Sequence, residues 1–177
     1  MMNYINTFFN YIGNHAPIML FLFSLFLLWN KSNYLTYYIY GYILNLLLTL
    51  ILKGIFKQPR PSDDEKLFNL AIKESKSIYF KDGYPYSVFG MPSGHTSCIF
   101  FSTMFIFLVF KNNRLLLIYL LFSLITMIQR VNSNEHTVIQ VLAGACVGLI
   151  FSYFIFYMAR QKIMGNLLLK KDDNAPI

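Results

Sequence analysis

The feature that most restricts this chain is the spacing of its charges. Tyr34 to Leu52 runs for 19 residues without a charged side chain, and Val138 to Met158 for 21. A hydrocarbon core of about 30 Å is crossed by about 20 apolar helical residues, so each run reads as a membrane helix. Three more runs complete the pattern. Pro17 to Trp29 is short, though the uncharged Tyr11 to Ala16 could extend it. Met91 to Phe110 is the third, and Leu115 to Ile128, marginal alone, would be covered by its partners in a bundle. The expected fold is therefore an all-α integral membrane bundle of about five transmembrane helices. Residues 1–15 form a candidate N-terminal interfacial segment. Residues 1–162 would make one membrane domain, interrupted by a polar loop at 53–90 and followed by a polar tail, 163–177, expected to lack fixed structure.

Composition supports a bilayer as solvent. Only 13% of the residues are charged, about half the share in a soluble domain. The net charge of +7 raises nucleic acid as a partner. However, the basic residues sit between apolar runs rather than in an aromatic-interleaved stripe, so none is expected. Cys98 and Cys146 lie inside apolar runs and read as small core residues, not a disulfide. No charge precedes Lys31, so the basic start of a cleavable signal peptide is missing and the first run is expected to stay.

The long connection, Lys53 to Gly90, holds most of the acidic residues. Its Ser62-Asp63-Asp64-Glu65 has capping-box spacing, followed by Leu67, Leu70, Ala71 and Ile78 at helical intervals. A short amphipathic helix is expected there, either on the membrane surface, over a site, or as a solvated linker.

Three polar clusters fall at span ends, where ionisable residues in a membrane protein carry function. Lys53 to Pro61 follows the second span, Pro92-Ser93-Gly94-His95 opens the third, and Arg130 to His136 joins the fourth to the fifth. Alternating crossings put all three on one side, and a single miscounted span would have split them.

Pro92 suits a first helical turn, which places Ser93, Gly94 and His95 at a helix amino end. Free N–H groups and the dipole make that end an anion site. There Gly94 would let a phosphate oxygen close to the backbone, Ser93 adds a hydroxyl, and His95 can protonate a leaving group. A Pro-Ser cap with an incidental histidine is the plainer alternative. Lys53 and Arg60 can neutralise phosphate, although basic residues at span ends also snorkel to headgroups. His136 opens the fifth helix with Gln140 one turn on, and the Gln140 oxygen can accept from one imidazole nitrogen while the other stays unprotonated. Gly144 and Gly148 continue that face as a small-xxx-small pattern for close packing, which could bring His136 towards His95.

Together these clusters resemble the three signatures of the type 2 phosphatidic acid phosphatase superfamily. Its first signature, a lysine, six residues and Arg-Pro, is met by Lys53, Arg60 and Pro61. Its Pro-Ser-Gly-His is met by Pro92 to His95, and its spaced Arg and His by Arg130 and His136. Gln129 replaces a serine, and Gln140 replaces the aspartate that orients the nucleophile. His136-Thr137-Val138-Ile139-Gln140-Val141, with Gly144, and Gly90-Met91-Pro92-Ser93 resemble the dolichyl diphosphatase branch in particular.

The resemblance implies a lipid phosphatase with His136 as nucleophile, forming a phosphohistidine, and His95 as general acid and then activator of water. Lys53, Arg60, Ser93, Gly94 and Arg130 would bind phosphate, and Gln140 would orient His136. It implies a phosphorylated lipid in the bilayer as partner, a polyprenyl diphosphate more than phosphatidate, and no metal or cofactor. His15 stands apart in sequence, and no zinc-ligand spacing is present. The alternatives are a lipid-monophosphate phosphatase of the same superfamily and a lipid-binding protein that lost turnover at Gln140. The opposite face carries Lys31, Lys111, Arg114, Arg160 and Lys162 without an acid. The positive-inside bias therefore puts the site on the lumenal or extracytoplasmic side and the carboxyl terminus in the cytosol.

Overall fold

The computed structural model describes residues 2–62, 65–81 and 83–172. Helices α1 (Met2–Leu28) and α2 (Ser32–Phe56) are followed by a short α3 (Glu65–Glu74). A two-stranded hairpin comes next, β1 (Ile78–Lys81) and β2 (Tyr84–Ser87). Helices α4 (Gly94–Phe110), α5 (Asn113–Asn132) and α6 (Val138–Asp172) complete the chain. The protein is an all-α membrane helical bundle. Among the described residues four helical stretches are long and apolar enough to cross a bilayer: Thr7–Leu28, Ser32–Phe56, Asn113–Asn132 and Val138–Leu168. The fifth, α4, has 17 residues and spans about 25 Å. It is the central helix, packed against α1, α2, α5 and α6, with every residue from Thr96 to Thr103 buried.

Local chemistry sets the ends. α2 closes on Lys57 in the left-handed region, its N–H bonded to the Lys53 carbonyl, and Pro59 and Pro61 prevent continuation. α4 closes in the same way on Lys111, and Asn112 caps α5 by accepting from the Arg114 and Leu115 N–H groups. The glycine stripe on α6 has the packing role its spacing suggested. A Cβ on Gly144 would lie 2.5 Å from the Ser93 carbonyl oxygen, and one on Gly148 would overlap that of Ser97. Within the bundle, buried hydroxyl pairs tie helix to helix: Tyr38 to Ser102 at 2.7 Å, Ser24 to Tyr119 at 2.8 Å and Thr103 to Ser123 at 2.9 Å.

Several boundaries differ from expectation. The stretch 2–15 is no separate element but the beginning of α1, which runs on unbroken through Pro17. At 27 residues the helix is about 40 Å long, so it exceeds the hydrocarbon core. The tail expected to be unstructured is helical as far as Asp172. Charge ends hydrophobicity there but not helicity, because Lys162, Met164 and Leu167 favour helix and propagation needs no new nucleus. α4 begins at Gly94, with Ser93 as its cap and Pro92 outside, rather than at Pro92; the Met91–Pro92 bond is cis.

In the polar loop the expected helix is present from Glu65, although Asp63 and Asp64, between the expected capping pair Ser62 and Glu65, lie outside the described residues. Ile78 belongs to the unforeseen hairpin, registered Ile78 to Ser87 and Lys81 to Tyr84, with Gly83 at φ +81 in the turn. Ala71 of α3, Val88 and Phe89 are buried together beneath Leu67, Phe68, Tyr79 and Tyr86. This second small core ties the helix to the hairpin exit.

Candidate active site

The polar site is built where α2 ends and α4 and α6 begin. Ser93 N–H donates to the Gln140 backbone oxygen at 3.0 Å, and Gly90 N–H to that of Gln58 at 2.7 Å. Backbone bonds thus tie the segment 90–93 to Gln58 of the first cluster and to Gln140, one turn beyond His136. Lys53 is buried and donates to the Phe89 carbonyl at 2.8 Å and the Ser87 hydroxyl at 3.2 Å. Arg60 lies over the Tyr86 ring, 4.7 Å from its centroid. The hairpin and its exit therefore hold Lys53 and Arg60 of the first cluster, so the loop contributes to the site rather than merely linking spans.

Glu135 completes the cationic shell. One oxygen, Oε2, accepts from Arg60 at 2.6 Å and from Arg130 at 3.3 Å. Both guanidinium side chains are under a tenth exposed, so this carboxylate offsets a repulsion that burial would otherwise magnify. Arg130 also donates to Asn14 Oδ1 at 2.6 Å.

His136 is buried in the turn before α6, and its Nδ1 lies 3.2 Å from Gln140 Oε1. The same oxygen accepts the Thr137 N–H at 3.2 Å, while Gln140 Nε2 donates to the Pro59 carbonyl at 2.9 Å. A backbone N–H can only donate and a carbonyl can only accept, so these neighbours fix which end of the amide is oxygen. His136 Nδ1 must then carry its proton and donate, which leaves Nε2 with a free lone pair. Burial, followed by the charges of Arg60, Lys53 and Arg130, pushes this imidazole down to about 3, so it is neutral at physiological pH.

His95 sits one residue into α4, exposed, and lines a cavity of about 400 Å³ with Lys53, Gly94, Thr49 and Asn14. A Cβ on Gly94 would meet nothing within 4 Å, so a phosphate oxygen has room against the backbone. The N–H groups of Gly94, His95 and Thr96 precede the first intrahelical acceptor and are available to an anion. Ser93 Oγ accepts from Thr96 Oγ1 at 3.0 Å, which leaves its own hydrogen to donate. Deeper in the membrane the cavity is walled by Pro17, Ile18, Tyr42, Leu46 and Leu50, apolar surface beside a cationic end.

Residues 34–164 match the PAP2 superfamily. The chain belongs to that superfamily. Membership points to phosphatase activity on phosphorylated lipid-like substrates. No curated protein and no solved structure matches the chain.

All eight residues singled out from the sequence lie at this one end of the bundle, in or beside the candidate site. Sequence reasoning missed four contributors. Glu135 stands next to His136, but its bridging of two arginines follows from the turn after α5, not from any motif. Gly90 is required because a Cβ there would lie 2.6 Å from Gln140 Oε1. Tyr86 depends on the hairpin, which the Asp82-Gly83 dipeptide signalled. Asn14 comes from α1, outside the matched residues.

Proposed function

We propose that this PAP2 protein hydrolyses a polyprenyl diphosphate of the dolichyl type through a phosphohistidine. His136 Nε2 attacks the terminal phosphorus. The N–P bond forms as the bond to the bridging oxygen breaks, and His95 gives that oxygen a proton. Polyprenyl monophosphate departs. Water then attacks the phosphohistidine, His95 takes its proton, the N–P bond breaks and inorganic phosphate is released. Lys53, Arg60, Arg130, Ser93 and the Gly94 N–H stabilise the equatorial oxygens. Gln140 keeps the His136 proton on Nδ1.

The observation that carries this reading is the Gln140 amide, locked by Thr137 and Pro59 so that Nε2 is the nucleophilic nitrogen of a neutral imidazole. The diphosphate preference rests on the His-Thr-x-x-Gln-Val-x-x-Gly and Gly-Met-Pro-Ser sequences and on the apolar wall beside the cations. The test is phosphate release by purified protein from a panel of polyprenyl diphosphates, polyprenyl monophosphates and phosphatidate, with and without a chelator. The expected result is fastest release from the diphosphates, one phosphate per molecule, unaffected by chelation. Faster release from phosphatidate would reassign the substrate, and none from any lipid would leave a lipid-binding protein.

A further inference from the structure

Arg130 is held by a helix that no motif includes. Arg130 Nη1 donates to Asn14 Oδ1 at 2.6 Å, and a guanidinium has no acceptor, so the amide orientation is fixed. The Asn14 amide NH2 is left without a protein partner among the described residues. Asn14 is exposed, and the surface it faces is the site cavity, which it lines with Lys53, Gly94 and His95. The approach of α1 that permits this is built in one residue earlier. A Cβ on Gly13 would overlap the side chain of Gln129, so only glycine lets α1 come this close to α5.

The cavity has a chemical direction. His136 does not line it, whereas His95 does. Pro17 and Ile18, three and four residues after Asn14 and so on its face of α1, form part of its apolar wall. The cavity is therefore the leaving-group side of the site, between the general acid and the membrane. We propose that Asn14 is a substrate-binding residue. Its Oδ1 fixes Arg130, and its Nδ2 donates to an oxygen of the phosphate that leaves with the lipid. The inference rests on the proposed function and deepens it, because it assigns a donor to the second phosphate of a diphosphate. A neutral donor suits that position: it binds the departing phosphate without adding a cation that would retain it.

Two variants separate the parts. Asn14→Asp keeps an oxygen for Arg130 but turns the cavity-facing donor into an anionic acceptor, whereas Asn14→Ala removes both contacts. With polyprenyl diphosphate, kcat/KM is expected to fall on the order of 10-fold for Asn14→Ala and further for Asn14→Asp, with an unchanged melting temperature for Asn14→Asp. A binding measurement needs no turnover. Inorganic pyrophosphate should raise the melting temperature of the parent protein at a concentration at least 10-fold lower than that needed for Asn14→Asp. Orthophosphate should discriminate less between the two. If Asn14→Asp matched the parent in both measurements while Asn14→Ala failed, Asn14 would only support Arg130 and the donor role would be lost. Absence of pyrophosphate binding to the parent would overturn the inference as well. A parent that binds pyrophosphate but releases no phosphate from any lipid would instead sink the functional reading, and the Asn14→Asp comparison would still decide this one.

Discussion

Replacing Gln140 gives the sharpest test of the site. Gln140→Ala removes three hydrogen bonds at once, to His136, Thr137 and Pro59. At about 1 kcal/mol each, with the buried partners left unsatisfied, the loss in stability is roughly 2–4 kcal/mol. Turnover should fall by about 10–100-fold, as for other contacts that orient a reactive imidazole, with little change in substrate binding. Gln140→Glu separates orientation from bulk. It keeps an acceptor for His136 and Thr137 but sets a second acceptor 2.9 Å from the Pro59 carbonyl. That conflict is relieved only when the carboxyl is protonated. Its turnover relative to the parent should therefore recover as pH falls towards the carboxyl range and worsen as pH rises. Gln140→Asp is one methylene shorter and gives up the Pro59 contact. Melting temperature and kcat would be measured on the same detergent-purified protein across pH. A folded Gln140→Ala with unaltered kcat, or a Gln140→Glu that tracks the parent at every pH, would refute the argument.

Three further outcomes follow from the same geometry. His136→Ala should abolish turnover and leave no acid-labile phosphoenzyme on rapid quench, and His95→Ala should slow substrates with poor leaving groups most; near-normal activity in His136→Ala would overturn the roles. In 15N NMR of the substrate-free protein at pH 5, His136 should remain neutral with its proton on Nδ1. Its pKa is held below the ordinary 6.5, at about 3, by burial and three cations, so a protonated ring at that pH would contradict the site as described. A tag after Ile177 should be protease-accessible in sealed vesicles whose cytosolic face is outward, as the positive-inside bias requires; protection would reverse the orientation.

The spans were legible because uncharged length in a bilayer has few alternatives, and the site was legible because its motifs sit at span ends. What the sequence hid depends on contacts across elements. Nothing in Arg130 to His136 shows that Glu135 turns towards Arg60, 75 residues earlier. The alternation of β1 and β2 is brief, and Tyr84-Pro85-Tyr86 reads as loop until the hairpin pairs it. The end of α6 is hidden because hydrophobicity stops near Arg160 while helix propensity carries the helix on to Asp172. Asn14 was invisible for a simpler reason: an uncharged asparagine inside an apolar run has no signature until a neighbouring helix presents an arginine.

The amide at position 140 also bears on the substrate. Lys53, Arg60 and Arg130 against Glu135 leave the site a net +2 before the histidines are counted. A carboxylate in place of Gln140 would reduce that charge and stabilise the imidazolium formed when His136 attacks phosphorus. The amide offers only a dipole, so attack is less assisted and the phosphohistidine, once formed, is less stabilised towards water. Such a site works best where departure of the leaving group needs little help. A lipid alkoxide is a strongly basic leaving group, the conjugate of an acid about as weak as water. A lipid monophosphate leaves as the base of an acid with a pKa of about 6. The proposed diphosphate lowers the demand on the first step, whereas loss of the carboxylate raises it. In the proposed mechanism a phosphohistidine held only by an amide dipole is also the more readily hydrolysed. On this argument Gln140 is suited to cleaving an anhydride, and a monoester would be the substrate it handles worst.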